Sequence, residues 1–123
     1  MSNVKLVDDE KFINDIRDFA NTKSLFGQST WFYGKYMSVY LRNGERFLGG
    51  SRIRAITVAN VTVTSPGQGV YNDFLLLLET LTRVIYIEGV FQIEQHPLYR
   101  RRDYVKIEET IYDPGWDFYK ILD

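Results

Sequence analysis

Ile53-Arg54-Ala55-Ile56-Thr57-Val58-Ala59-Asn60-Val61-Thr62-Val63-Thr64 places Ile56, Val58, Val61 and Val63 among threonines. β-Branched side chains at this density suit a pleated, half-buried surface, so the segment reads as a long strand near the sheet centre, with Asn60 interrupting its apolar face. Ser65-Pro66-Gly67-Gln68-Gly69 follows and consists of turn formers. Beyond it Val70, Phe74, Leu77, Leu78 and Leu81 recur at helical spacing up to Arg83, and Leu75 and Leu76 widen the stripe, which predicts a mostly buried helix. Val84 to Glu88 is a second compact run of strand formers. Strand, glycine turn, helix and strand within about thirty residues make a βαβ unit, whose two strands run parallel.

On the N-terminal side, Lys35 to Arg42 is rich in strand formers, and Asn43-Gly44 followed by Glu45-Arg46-Phe47-Leu48 predicts a hairpin turn into a short strand, with Gly49-Gly50 ending it. Asn21 to Gly34 mixes turn formers with Leu25, Phe26, Trp31, Phe32 and Tyr33 without a clean period, which fits a short helix or an ordered loop. Asp8, Asp9 and Glu10 precede Phe12, Ile13, Ile16, Phe19 and Ala20, so an amphipathic helix is expected from Asp8 to Ala20 with acids at its positive end. On the C-terminal side a linker, a short helix around Pro97 to Arg102 and strands at Tyr104 to Tyr112 and Asp117 to Leu122 are expected. Asp113-Pro114-Gly115 is the expected turn between those strands. There is no internal repeat and no low-complexity tract.

A chain of 123 residues, 45% hydrophobic and 25% charged, has the size and mixture of one folded domain spanning 1–123. Fifteen Lys and Arg against sixteen Asp and Glu give a net charge of -1, so no overall basic field draws nucleic acid or an anionic membrane, and neither is expected as a partner. Cysteine is absent, which removes disulfides, thiol nucleophiles and thiolate metal sites; no metal is implied. The longest apolar run, Phe74 to Leu78, is far short of a membrane span, and Met1-Ser2-Asn3-Val4-Lys5 lacks the apolar stretch of a signal peptide, so a cytoplasmic location is expected.

A glycine turn that opens a helix after a strand suits anions, because unpaired N-H groups point outward where the helix dipole is positive. Gly67 and Gly69 would let a phosphate approach the backbone closely. No Gly-Lys-Ser/Thr follows, so this is not a Walker A loop, and the third glycine of the dinucleotide fingerprint is missing. Taken with its flanking strand, leucine-rich helix and second strand, Pro66-Gly67-Gln68-Gly69-Val70 resembles motif A of the GNAT superfamily, the acyl-CoA-dependent N-acyltransferases. Thr64-Ser65-Pro66-Gly67-Gln68-Gly69 keeps both small positions of that family's Gln/Arg-x-x-Gly-x-Gly/Ala loop, with Thr64 and Pro66 where side chains usually contact phosphate. The family's Asn, its Tyr seven residues on and its later Gly-Phe/Tyr are matched by Gln92, Tyr99 and Asp103-Tyr104. Asp103 stands where a left-handed glycine is usual. The stretches Ala59-Asn60-Val61 and Gly67-Gln68-Gly69-Val70-Tyr71 are most similar to small GNAT-like proteins of tailed bacteriophages.

The resemblance implies an α+β fold with a mixed, mostly antiparallel sheet and a splayed central parallel pair flanked by helices. It implies acetyl-CoA as cosubstrate, with backbone groups of Val61 and Val63 pairing with the pantetheine arm and amides from Gln68 through Gly69 and Val70 to Tyr71 on the pyrophosphate. A strand N-H near Val61 would stabilise the oxyanion, Tyr99 would protonate the leaving thiolate, and Gln92 completes the cofactor-side spacing. The acceptor would be an unidentified amine of a small molecule or protein. A different class fits the same residues: a GNAT-fold binding protein without turnover, acting on a host or viral partner protein. Nucleotide binding by the same glycine turn is a third reading.

Other residues are read from their settings. Glu88 closes an apolar strand and is a candidate base whose pKa such a setting would raise; a solvated strand end is the plain alternative. His96 is expected to be exposed in a loop. Arg100, Arg101 and Arg102 either meet a phosphate or acidic substrate or form a solvated helix face. Trp31, Phe32, Tyr33, Trp116 and Phe118 are candidates for an acceptor wall or an association surface, a homodimer included.

Overall fold

The longest strand, β3 (Ser51–Val63), lies at the centre of a six-stranded sheet in this structure, a computed structural model that describes residues 5–22, 27–64, 66–107 and 116–122. Along one side β3 pairs antiparallel with β2 (Met37–Leu48), from Met37 opposite Val63 to Leu48 opposite Ser51. On the other side it pairs in parallel with β4 (Val84–Ile87), but only from Ile56 opposite Ile85 to Val58 opposite Ile87. A parallel neighbour cannot be reached by a tight turn, and the crossover is made by helix α2 (Val70–Leu81). Strand β1 (Gln28–Tyr33) flanks β2. Beyond β4 come β6 (Phe118–Ile121) and then β5 (Val105–Lys106), so the order is β1-β2-β3-β4-β6-β5 with a single parallel pair among the described residues. The mixed, mostly antiparallel α+β architecture is the one expected.

Two further helices, α1 (Glu10–Asn21) and α3 (His96–Arg101), join α2 on one face of this sheet. Phe12, Ile16 and Phe19 of α1 and Phe74, Leu75 and Leu78 of α2 meet Met37, Val39, Leu41, Ile56, Val58, Ile85 and Phe118 in one core. The Phe12 and Phe74 rings, 6.2 Å apart, join the two longer helices. On the opposite face a smaller cluster holds Leu48, Ala55, Val84 and Tyr86, and among the described residues no helical side chain belongs to it.

Asn43-Gly44 does not turn the chain. β2 runs straight through both residues, and the turn falls at Gly49-Gly50, where φ is +58° and +80° as a two-residue hairpin of the primed type demands. The reason lies in the Asn43 side chain. It is buried, and its Nδ2 donates to the carbonyls of Phe19 (2.9 Å) and Thr22 (3.0 Å) at the end of α1, where helical hydrogen bonding runs out. The segment from Asn21 to Gly34, open between helix and loop in sequence, contributes β1. The residues of β1 are mostly exposed, so burial imposes no period on the strand; within it Phe32 turns in against Phe19, ring centroids 5.1 Å apart.

Asp9 caps α1 as the acid-rich start predicted, and its reach is longer than a cap. Oδ1 accepts from the N-H of Phe12 at 3.4 Å and Oδ2 from the N-H of Lys35 at 2.6 Å, fastening the helix to the turn before β2. Gly34 sits in that contact: a Cβ there would lie 2.7 Å from the Phe12 ring and 2.8 Å from the Asp9 carboxylate. Of the strand expected from Tyr104 to Tyr112, Val105–Lys106 is seen as β5 and Tyr104 and Ile107 flank it outside the ladder; 108–112, with the Asp113-Pro114-Gly115 turn, lie outside the described residues.

Candidate functional site

Past Val58 the two parallel strands part. The N-H of Glu88 donates to the Val58 carbonyl at 3.0 Å, and from there β3 continues through Ala59 to Val63 with no described strand on that side. At the same level the register with β2 shifts. Leu41 faces Val58 and Tyr40 faces Asn60, leaving Ala59 as the extra residue of a β-bulge. The bulge changes parity: Ile56 and Val58 face the core before it, Val61 and Val63 after it. It also decides which backbone groups are open. The N-H of Thr64 donates to the Tyr36 carbonyl at 2.8 Å, so by ladder alternation Thr62 and Asn60 also bond to β2, and the N-H and C=O of Val61 and Val63 face the open edge.

Next to that edge, α2 begins without a side-chain cap. Gly69 is its N-cap, at φ +77°, and Gly67 precedes it at φ +84°. Both conformations favour glycine, and no atom lies within 4 Å of the place a Cβ would take at either residue. The first-turn amides behind Gly69, those of Val70, Tyr71 and Asn72, have no partner inside the helix, and buried Val70 anchors the turn in the core. Gln68 is exposed. An anionic group approached by the backbone would fit these residues.

Two adjoining clefts follow the open edge. One, of about 440 Å³, runs from Gly67 and Gly69 along Val61, Val63 and Leu98; the other, of about 340 Å³, reaches from Ala59 and Asn60 to Glu88, Phe91 and Gln92. Val61, Tyr71, Gln95 and Tyr99 line both and so stand at their junction. The folded chain thus brings together Val61, Val63, Gly67, Gly69, Val70, Tyr71, Glu88, Gln92 and Tyr99 from segments far apart in sequence. Gln92 lies at the outer cleft, where its Oε1 accepts from Gln95 Nε2 at 2.6 Å.

Tyr99 is 3% exposed and stacks on Phe118 at 5.1 Å, yet its hydroxyl reaches that junction and lies 2.8 Å from the Tyr71 hydroxyl. Burial raises the pKa of Tyr99, and the bond from Tyr71 works against the rise. Tyr71 is raised well above the usual tyrosine value, chiefly by burial and then by the neighbouring Tyr99. Both hydroxyls therefore keep their protons at neutral pH, and either one can donate across the contact between them. Nothing adjacent in sequence announces this pair, since its members are 28 residues apart.

Three other expectations need correction. Glu88 is in neither an apolar setting nor a purely solvated one: its carboxylate accepts from Arg42 Nη1 at 3.0 Å on both oxygens and from Arg46 Nη1 at 3.0 Å. His96 is buried, with Nε2 2.8 Å from the Val90 carbonyl and its ring 4.9 Å from that of Phe118. Arg102 is no free phosphate ligand. It turns inward, bonding Asn72 at 2.8 Å and both oxygens of Glu79 at 3.0 and 2.9 Å, while Arg100 and Arg101 remain exposed. Asp103, at φ +66°, does take the left-handed conformation expected of its position. Phe118 belongs to the core, which removes it from the candidate surface residues; Trp31 and Tyr33 are exposed.

No family model matches the chain, and no curated protein matches it in sequence. Among solved structures it is similar to a mutant AtaT toxin bound to the C-terminus of the antitoxin AtaR and acetyl-CoA, with a TM-score of 0.52 at 8% identity. It is also similar to the KacTA-DNA complex, at 0.52 and 11%. Each alignment covers 70% of this chain and 58% of the other, so the chain spans well under two thirds of these relatives' length. The likeness is one of fold: a GNAT-type sheet with one splayed parallel pair.

Proposed function

We propose that the chain binds acetyl-CoA along the open edge of β3 and transfers its acetyl group to an amine. The observation that carries this reading is the coincidence, on one edge, of outward backbone groups at Val61 and Val63 with an uncapped helix start behind Gly67 and Gly69. One site pairs with an amide-bearing arm and the adjoining one holds a diphosphate. That an AtaT toxin of similar fold was solved with acetyl-CoA supports the choice of ligand. Such a protein would work in the cytoplasm, where the cosubstrate is made, and the phage-like sequence stretches extend the reading to a host cell.

Acetyl-CoA supplies an acyl group already activated as a thioester. Residues of the chain would hold it: Val61 and Val63 by their backbone, the amides from Gln68 to Tyr71 at the diphosphate, Gln92 on the outer side. In the outer cleft the amine nitrogen would bond to the acyl carbon as the carbon-sulfur bond breaks. A strand N-H near Val61 would take the charge on the carbonyl oxygen, and Glu88, the carboxylate lining that cleft, would take the amine's proton. Tyr99, its oxygen steadied by Tyr71, would give its proton to the sulfur.

One observation favours the second reading, a binding protein without turnover: among the described residues lining the clefts, the single carboxylate is engaged by two arginines. The AtaT structures contain an antitoxin segment, which supports a protein partner for this chain as well. Titration calorimetry with acetyl-CoA, followed by release of free thiol in the presence of an amine panel, separates the readings. Binding with thiol release supports the transferase, and binding without release the second reading. No heat and no rise in melting temperature at saturating acetyl-CoA would sink both cofactor assignments.

A further inference from the structure

We propose that β1 is the dimer interface of this protein, pairing antiparallel with β1 of a second copy about a twofold axis at Trp31. The N-H of Gly34 donates to the Met37 carbonyl at 2.8 Å, so ladder alternation turns the backbone of Phe32, Thr30 and Gln28 toward β2. The N-H and C=O groups of Ser29, Trp31 and Tyr33 therefore face outward from the sheet edge; among the described residues no strand bonds to them, and the Thr30 hydroxyl donates a long bond to the Trp31 carbonyl at 3.4 Å. Exposed edges are normally protected by charge, proline, a bulge or shortness. The opposite edge, β5, is two residues long and carries Lys106. β1 has six residues, none charged and none proline.

The strand is complementary to itself. A twofold axis at Trp31 sets Trp31 against its own copy, Ser29 against Tyr33 and Thr30 against Phe32, so each large side chain except the central one meets a small one. Ser29, Trp31 and Tyr33 stand on the face of the sheet that carries no described helix. There Trp31 stacks on Tyr33 at 5.9 Å and meets Tyr40 at 5.2 Å, so pairing would join two aromatic rows into one. No like charges are brought together across the six residues.

The test uses the full chain. Sedimentation at about 100 µM should show a dimer that dissociates on dilution, as a small interface implies. Amide exchange should show Ser29, Trp31 and Tyr33 protected at high concentration and unprotected at low, while Thr30 and Phe32 stay protected at both. Trp31→Lys sets two ammonium groups at the axis, and Ser29→Pro removes an N-H that the monomer does not use; each should weaken the dimer at least tenfold. A monomer at every concentration overturns the proposal and leaves the edge to a strand from another protein. A dimer that persists in Trp31→Lys, or forms without the alternating protection, overturns it too. If Ser29→Pro fails to fold by circular dichroism, Trp31→Lys and the exchange pattern decide.

Discussion

Ile56-Thr57-Val58 and Val61-Thr62-Val63 are nearly the same tripeptide on one strand, yet the first is buried throughout while the second lies half open along a cleft. Their side chains do not account for that. The first has β2 on one side and β4 on the other, so its backbone groups are used in ladders; the second has β2 alone. Strand-forming residues make both stretches extended, and the point at which the parallel partner leaves decides which becomes core and which an open edge. The bulge at Ala59 lies between them, so the change of company coincides with a change of parity.

The largest expected effect tests the closed half. Ile56→Ala removes a side chain 2% exposed and should cost about 3–4 kcal/mol, lowering the melting temperature by roughly 10–15 °C in a thermal melt. Val61→Ala, on the open half, should cost about 1 kcal/mol or less. Equal losses would erase the distinction. The next effect falls on the open half's neighbour. Gly69→Val places a branched side chain over the helix start at positive φ and should weaken acetyl-CoA about 100-fold in calorimetry while circular dichroism stays native. Undiminished binding would remove the loop from the site.

Tyr99→Phe comes third. It keeps the ring stacked on Phe118 and removes only the proton donor, so acetyl-CoA affinity should hold while kcat falls roughly tenfold to a hundredfold, water replacing part of the donor's role. Because burial raises the Tyr99 pKa, the acid form survives neutral pH, and activity should lose this donor only above about pH 10; the Phe variant should lack that alkaline limb. Loss of affinity together with early melting would make Tyr99 a packing residue instead. The smallest effect on stability is that of Glu88→Gln. Its partners Arg42 and Arg46 are partly exposed, so stability should change by less than about 1 kcal/mol, and less still in high salt. A larger loss would show that the end of the parallel pair depends on this cluster.

Much of this contrast can be read from the residues alone. Threonines and β-branched residues mark β3, leucines at helical spacing mark α2, and the glycine turn between them marks the uncapped helix start. Even the bulge leaves a trace, since apolar positions change from even to odd numbers between Val58 and Val61; taking Asn60 for a mere interruption misses it. What local pattern cannot supply is a distant partner. Asn43-Gly44 has the chemistry of a hairpin turn, and only the carbonyls of Phe19 and Thr22 reveal why that asparagine stays in a strand. Glu88 finds Arg42 and Arg46, Arg102 finds Glu79, and His96 finds the Val90 carbonyl through contacts made after the sheet and helices have come together.

Asp9 and Asn43 hold α1 at its two ends, one through the N-H of Lys35 and the other through the carbonyls of Phe19 and Thr22. Both attachments are to the turn before β2 or to β2 itself, so the helix cannot swing open about either end without breaking the other. Its amides should therefore exchange with solvent in the same cooperative opening as those of β2, and motion that admits a ligand must come from elsewhere in the molecule.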